Sequence, residues 1–212
     1  MRSCINNKIV DSPHVTQAHT SYPIVSNING LIMDDEADYL IDIAHQQGLQ
    51  RSNVIDSAGN SATHSGRTSS TGYIPKGHDK VVQCIEQRIA TVSGMPVTHL
   101  EPLQLTQYKV GQKYDAHHDY FNKKESGERT TTVFTYLKGL SSNCGGATAF
   151  PSLKGSDGDT LKITPRSGCA AMWSNRTLTG DVEPLTLHGG EPVTCNETKV
   201  GLNAWFRDTP WV

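Results

Sequence analysis

From residue 100 onward the chain alternates short runs of β-branched and aromatic residues with turn signals. This alternation narrows the fold more than any other feature of the sequence. The runs cover 103–110, 114–120, 130–137, 147–150, 160–163, 169–173, 186–188 and 199–207. Turn residues such as Val110-Gly111, Asn143-Cys144-Gly145-Gly146 and Asp157-Gly158 lie between them. Eight short strands at such spacing predict an all-β sandwich or barrel. Ahead of them, Ile24, Ile28 and Leu31 mark a first strand within 22–31. Asp34 or Asp35 then caps a helix with the apolar face Ala37, Leu40, Ile41 and Ala44, ended by Gly48. A second helix carries Val81, Val82, Ile85, Ile89 and Val92 at helical spacing and stops at Gly94. The expected fold is mainly β with flanking helices, one domain over 22–212. Helical support occupies about 22–99 and the β core about 100–212. Residues 1–21 are polar and aperiodic and read as a flexible lead-in. The Ser-, Asn-, Thr- and Gly-rich stretch 51–70 reads as a disordered or functional loop.

Composition removes several classes of function. A chain of 212 residues buries roughly 70% of its unfolded surface and needs no covalent staples to fold. Lysine and arginine total 19 against 21 aspartate and glutamate, a net charge of −2, which argues against a nucleic-acid binder working through a basic field. The five cysteines are an odd number, widely spaced and without a C-x-x-C pair. Buried or free thiols are therefore expected, with a single bridge left open, rather than a disulfide framework or a cysteine-zinc site. No stretch approaches the roughly 18 apolar residues of a membrane span, and the first residues lack an apolar signal core. The expectation is a soluble protein with no membrane partner, either cytosolic or relieved of a targeting segment.

The segment Tyr114-Asp-Ala-His-His-Asp-Tyr120 carries the chemistry. On a strand, residues two apart share a face, so His117 and Asp119 point together while His118 points away. An imidazole beside a carboxylate supplies two ligands of a facial metal site that a second histidine from elsewhere would complete. Three neighbouring positions then stay open, which suits iron(II) that must take a cosubstrate and dioxygen. Unaided, H-x-D reads as readily as a polar strand with a surface ion pair. His188 lies far downstream, facing away from Leu185 and Leu187. Lys199 opens a strand on which Gly201, Asn203 and Trp205 share its face. A lysine aimed into a barrel there is costly unless it meets an anion, which a dicarboxylate would supply. The six histidines His14, His19, His45, His64, His78 and His99 read as exposed or locally bonded.

A longer ordered set of motifs spans about 22 to 205. It comprises Arg67-Thr-Ser-Ser, Gln107-Tyr108, Gly111-Gln-Lys-Tyr114-Asp-Ala-His117-His-Asp119-Tyr-Phe121 and Arg129 with Tyr136-Leu137. Then come Gly145-Gly146-Ala-Thr-Ala-Phe-Pro151, Pro165-Arg-Ser-Gly168-Cys-Ala170 with Trp173, and Leu187-His-Gly-Gly-Glu-Pro-Val193 with Lys199 and Trp205. On these residues the chain resembles the prolyl 4-hydroxylase-type dioxygenases that depend on 2-oxoglutarate and iron(II). The resemblance implies a double-stranded β-helix (jelly roll) core with N-terminal helical support. It implies His117, Asp119 and His188 as iron ligands, with Lys199 on the distal carboxylate of 2-oxoglutarate. The same resemblance implies Tyr108, and Thr148 as a weaker candidate, in the cosubstrate pocket. It further implies that Arg129 and Trp205 line a peptide site with Tyr114 at its edge, and that the loops 51–68 and 121–128 correspond to segments that close over the peptide in relatives. Lys199 stands one position farther from His188 than in relatives, the extra residue falling in 194–198. Val200 stands where many relatives have tryptophan.

The implied activity is hydroxylation of proline in an extended Pro-rich or collagen-like peptide. It is coupled to decarboxylation of 2-oxoglutarate to succinate and carbon dioxide, with Fe(II), O2 and ascorbate. A proline-rich segment pre-forms a polyproline II helix that docks on aromatic side chains, here Tyr73, Tyr120, Phe121, Trp173 and Trp205. The same iron site acting on lysyl or nucleic-acid substrates is an alternative, as is a non-catalytic jelly-roll peptide-binding module. Two sequons, Asn175-Arg-Thr177 and Asn196-Glu-Thr198, flank the expected site.

Overall fold

The computed structural model describes residues 1–55, 61–63, 65–120 and 127–211. β1 (His14–His19) and β2 (Val25–Asn29) precede α1 (Asp34–Gln47). Four short strands follow, β3 (Gln50–Arg51), β4 (Asn53–Ile55), β5 (Ser61–Thr63) and β6 (Ser70–Ile74), and then α2 (Lys80–Ser93). The β core continues with β7 (Leu103–Tyr108), β8 (Tyr114–His117), β9 (Arg129–Lys138) and β10 (Thr148–Lys154). It ends with β11 (Thr160–Ile163), β12 (Ala170–Ser174), β13 (His188–Gly190) and β14 (Lys199–Arg207).

Two antiparallel sheets result. The larger runs β1-β2-β12-β9-β14-β7-β6-β3 and the smaller β11-β10-β13-β8, while β4 and β5 pair separately. They form the mainly β jelly-roll core expected from the sequence. Strand parity sorts the larger sheet into two faces. Val133 and Leu137 of β9, Leu103 and Leu105 of β7, and Val200, Leu202, Ala204 and Phe206 of β14 pack with α1 and α2 in one apolar cluster. The alternate residues, including Phe134, Tyr136 and Trp173, pack with Phe150, Leu161 and Ile163 of the smaller sheet. Gly201 is required in this second layer, because a Cβ there would lie 2.3 Å from the Phe134 ring.

The helices follow their sequence signals. Asp79 accepts from Val82 N (2.8 Å) to cap α2, and Gly94 ends it in the left-handed region at φ 70°. In α1 the cap position is Met33 rather than an aspartate, and Glu36 turns back to accept from Met33 N (3.1 Å). Glu36 is fully buried and takes both guanidinium nitrogens of Arg88 from α2, locking the helices together. Ile43, not Ile41, joins Ala37, Leu40 and Ala44 as the buried face. No helix among the described residues is long and apolar enough to cross a membrane.

Three sequence expectations need correction. Residues 1–21 are not a flexible lead-in: β1 pairs with β2 from His14↔Asn29 to His19↔Val25, and Cys4 is disulfide-bonded to Cys84 of α2. Strand β1 sits at a sheet edge with mostly exposed side chains, so it needs no apolar alternation to be a strand. The cysteines form two bridges, Cys4–Cys84 and Cys144–Cys195, with Cys169 free. Wide spacing concealed these pairs because the fold, not the local sequence, brings them together. Finally, 186–188 is mostly not strand. Pro184–Thr186 form a 3-10 turn in which Glu183 accepts from Leu185 N, and β13 begins only at His188. Within 51–70, β3, β4 and β5 are ordered strands, and 56–60 and 64 lie outside the described residues, as do 121–126.

Candidate active site

β8 and β13 are antiparallel neighbours with His188 opposite His117, so the two imidazoles meet at the end of the smaller sheet. Asp119 lies just past the end of β8, and its side chain turns back to the same point. His117 Nε2 is 3.7 Å from Asp119 Oδ1, and His188 Nε2 is 3.6 Å from Asp119 Oδ2. One ligand atom from each of the three lies within 4.8 Å of the others, a spacing that suits one shared cation. Each histidine is turned for ligation by its own backbone. His117 Nδ1 faces Asp115 O (2.9 Å) and His188 Nδ1 faces Thr186 O (2.9 Å), so both carry their proton on Nδ1 and aim a bare Nε2 inward.

Asp119 is positioned from the larger sheet. Its Oδ2 accepts from Thr132 Oγ1 (2.7 Å), and Thr132 in turn accepts from Asn175 Nδ2 (2.9 Å). Burial alone would raise the Asp119 pKa, but the His188 and His117 imidazoles and Arg129 outweigh it and hold the carboxyl well below the usual range. Burial pushes the His188 imidazole down to about 4, against the pull of Asp119, leaving it neutral and able to ligate at neutral pH. His188 also packs on Trp173, ring centroids 4.6 Å apart, and Tyr114 stacks on His117 at 3.7 Å. His118 is exposed at the pocket mouth. A divalent cation with a preference for mixed nitrogen and oxygen donors fits this set.

The triad opens into a pocket of about 800 Å³ that also contains Tyr108, Thr148 and Lys199. Lys199 is 1% exposed, and β14 places it opposite Tyr108 of β7. Its ammonium lies 5.0 Å from the Tyr108 ring centroid, 5.6 Å from Phe134 and 5.7 Å from Tyr136. Gly146 O accepts from Nζ at 2.6 Å. Three aromatic rings and one carbonyl are poor compensation for a buried cation, and burial brings the Lys199 pKa down to about 7. Thr148 lines the same space and accepts from Tyr136 OH (2.8 Å). Lys199 follows the turn 194–198 directly as the first residue of β14, in register with Tyr108 of β7.

On the other side of the triad the pocket widens into a groove. Arg129 lies 3.5 Å over the Trp205 ring centroid and donates Nε and Nη2 to Glu101 (both 2.8 Å). Arg207 Nε donates to the same carboxylate (2.8 Å), so one buried acid faces two guanidiniums. Arg67 lies over the Tyr114 ring at 4.6 Å, and its Nη2 donates to Gln104 Oε1 (3.0 Å). Gln104 Nε2 donates to the exposed Tyr73 hydroxyl (2.7 Å), and Asn203 donates to Gln104 Oε1 (3.1 Å). The Trp205 indole N–H is buried without a hydrogen-bond partner among the described residues. Trp173 is chiefly a core residue, edge-on to Phe150. Phe121 lies outside the described residues.

The triad, Lys199, Tyr108, Thr148, Arg129, Trp205 and Tyr114, all expected from the sequence, therefore line one pocket. Sequence reasoning missed Thr132, Tyr136, Asn175, Glu101 and Gln104. Parity on β9 would have placed Thr132 and Tyr136 with Phe134, and parity on β7 would have placed Gln104 with Tyr108. Nothing local marks Glu101. Asn175, one of the two sequon asparagines, is 3% exposed and spends its amide on Thr132.

Comparison with known proteins agrees with this arrangement. Residues 103–207 match the model of the 2OG-Fe(II) oxygenase superfamily. Prolyl 4-hydroxylase 2 of Arabidopsis thaliana is 35% identical over 220 residues, covering 94% of this chain and 72% of the relative. Prolyl 4-hydroxylase 5 of the same plant is 32% identical over 195 residues, 84% of this chain and 66% of the relative. The chain thus spans about two thirds of the length of these curated relatives. Among solved structures, the viral collagen prolyl hydroxylase of Paramecium bursaria Chlorella virus-1, in its 2-oxoglutarate complex, superposes with a TM-score of 0.69. It is 26% identical, and the match covers 87% of this chain and 96% of that one.

Proposed function

The chain belongs to the 2-oxoglutarate–Fe(II) oxygenase superfamily and, within it, to the prolyl 4-hydroxylases, and from that premise we propose that it hydroxylates proline in an extended Pro-rich or collagen-like peptide. The observation that carries the reading is the pairing, in one pocket, of a two-histidine, one-carboxylate triad with a buried lysine whose hydrogen-bond partner among the described residues is a carbonyl, Gly146 O, with Glu191 acting on it only at longer range. Iron(II), 2-oxoglutarate and dioxygen supply the oxidising chemistry, in which the cosubstrate becomes succinate and carbon dioxide while one oxygen atom enters a prolyl C–H bond. Ascorbate keeps the metal reduced.

The chain's own residues bind, orient and exclude. His117, Asp119 and His188 would hold the metal, with Thr132 and Asn175 fixing the carboxylate that bridges the two sheets. Lys199 neutralises the far carboxylate of the cosubstrate, and Tyr108 and Thr148 offer hydroxyls to the same group. The Phe134, Tyr136 and Trp173 rings keep bulk water from this end of the pocket. At the open end, Trp205 and the Arg129 guanidinium stacked on it line the groove, a wall that suits a prolyl ring and the carbonyls of a polyproline II backbone. Tyr114 and Tyr73 extend the aromatic wall. The near-neutral charge of the chain favours such a peptide over a nucleic acid.

Turnover of 2-oxoglutarate by the iron-loaded protein, with and without a proline-rich peptide, tests the reading. Peptide-stimulated succinate release with matching hydroxyproline is expected. Succinate release unaffected by any proline peptide, or none at all, would refute it.

A further inference from the structure

The loop that carries Gly146 and the turn that precedes Lys199 lie on different segments yet are zipped together. Gly146 N donates to Pro192 O (3.0 Å) and Thr194 N donates to Cys144 O (2.9 Å). Glu197 accepts from Ser141 N (2.9 Å) and Ser141 Oγ (2.6 Å). One covalent bond closes the contact, the Cys144–Cys195 disulfide. At either end of it stand the groups that define the anion site, the Gly146 carbonyl and Lys199, joined at 2.6 Å. Gly146 itself lies at φ +69°, where a Cβ would come 2.5 Å from Leu140 Cδ1. The loop therefore holds its carbonyl on Lys199 through backbone hydrogen bonds, the Ser141–Glu197 contact and one covalent link, the disulfide. Residues 194–198 form no helix or strand of their own, and a cross-link from this turn to the Gly146 loop restricts the conformations it samples.

We infer that the Cys144–Cys195 disulfide is a positioning element of the cosubstrate site, setting the root of Lys199 against the Gly146 carbonyl so that the ammonium meets the distal carboxylate of 2-oxoglutarate. The inference rests on the reading of Lys199 as the cosubstrate anchor. Cys4–Cys84, by contrast, ties the N-terminal segment to α2 and lines no part of the pocket. Cys195 is partly exposed and Cys144 buried, so an external dithiol reaches the Cys195 sulfur first. Its thiolate attacks that sulfur, the S–S bond breaks and Cys144 leaves as a thiolate that takes a proton. The second thiol then displaces Cys195, which takes the other proton, and the dithiol ends as a disulfide, two electrons lost there and two gained by the cysteines. Loosened in this way, the anion site loses affinity for its dicarboxylate.

Calorimetric titration of 2-oxoglutarate into Mn(II)-loaded protein without dioxygen gives the test. In the C144S/C195S variant the Kd is expected to rise about tenfold, a difference of about 1.4 kcal/mol. In the iron-loaded enzyme the KM for 2-oxoglutarate rises by the same factor while kcat at saturation holds. The C4S/C84S variant keeps the wild-type Kd. Should C144S/C195S not fold, dithiothreitol reduction of C4S/C84S protein that stays folded by near-UV circular dichroism supplies the comparison, and reoxidation restores affinity. An unchanged Kd after loss of Cys144–Cys195 overturns the inference alone, as does an equal loss in unreduced C4S/C84S. Oxidised wild-type protein that binds no 2-oxoglutarate would overturn the functional reading and this inference together.

Discussion

The two faces of β14 are built from the same nine residues and do different work. Toward the helices it presents Val200, Leu202, Ala204 and Phe206, all buried in one apolar cluster with α1 and α2. Toward the smaller sheet it presents Lys199, Asn203 and Trp205, which line the pocket. β9 and β7 repeat the division, with Val133, Leu137, Leu103 and Leu105 outside and Thr132, Phe134, Gln104 and Tyr108 inside. The outer face stabilises by removing apolar surface from water, roughly 25 cal/mol per Å². The inner face holds buried polar groups that need partners, and where protein partners run short, as at Lys199, a ligand is wanted. A strand period of two lets one sheet carry stability and chemistry without mixing them.

That division can be broken in stages. The largest effect falls on the inner face: His117→Ala should reduce peptide-dependent succinate release to background, whereas His118→Ala, at the exposed pocket mouth, should largely spare it. The reverse order in the same assay would refute the assignment by parity. On the outer face, Leu202→Ala should cost about 2–5 kcal/mol in urea unfolding while leaving the KM for 2-oxoglutarate unchanged. A large rise in KM would show that the faces are not separable. Thr132→Val removes the hydroxyl that orients Asp119 and should weaken Fe(II) affinity about 10–100-fold in anaerobic titration, with a stability loss of about 1–3 kcal/mol from the buried Asn175 amide left unpaired.

The pH dependence sharpens the contrast further. Lys199 is lowered from its ordinary 10.5 to about 7 in the folded chain. Below pH 7 both folded and unfolded states carry the charge, and the penalty for burying it is fully present. Between about 7 and 10.5 the unfolded chain holds a proton that the folded chain has lost, so this residue makes stability rise with pH across that window. Binding a dicarboxylate selects the ammonium and takes up a proton. The Kd for 2-oxoglutarate should therefore rise about tenfold per pH unit above 7, a slope that Lys199→Met removes.

Much of this was legible in the sequence where the cause is local. Alternation and turn residues located most of the core strands, although β8 stops at His117 and leaves Asp119 beyond its end and β10 runs on to Lys154, and H-x-D with a distant histidine indicated a metal. The displaced start of β13 was not legible, because the Glu183 cap that forms the preceding 3-10 turn leaves Leu187 outside the strand. β1 and the two disulfides were invisible for a different reason. An exposed edge strand needs no apolar pattern, and cysteines far apart in sequence meet only once the sheets have closed. Glu101 was missed likewise, since only the folded chain brings Arg129 and Arg207 to it.

The measurement closest to the centre of this account is made on Lys199→Met, with 2-oxoglutarate affinity and urea stability determined on the same metal-loaded protein. Methionine keeps most of the side chain's volume and removes the buried cation. The account predicts a Kd weakened about a hundredfold, as expected for loss of a charge-assisted contact in a buried site, with stability at pH 7 equal or higher. A stability loss with the affinity intact would contradict it, because Lys199 would then be a structural residue and not the anchor of the cosubstrate.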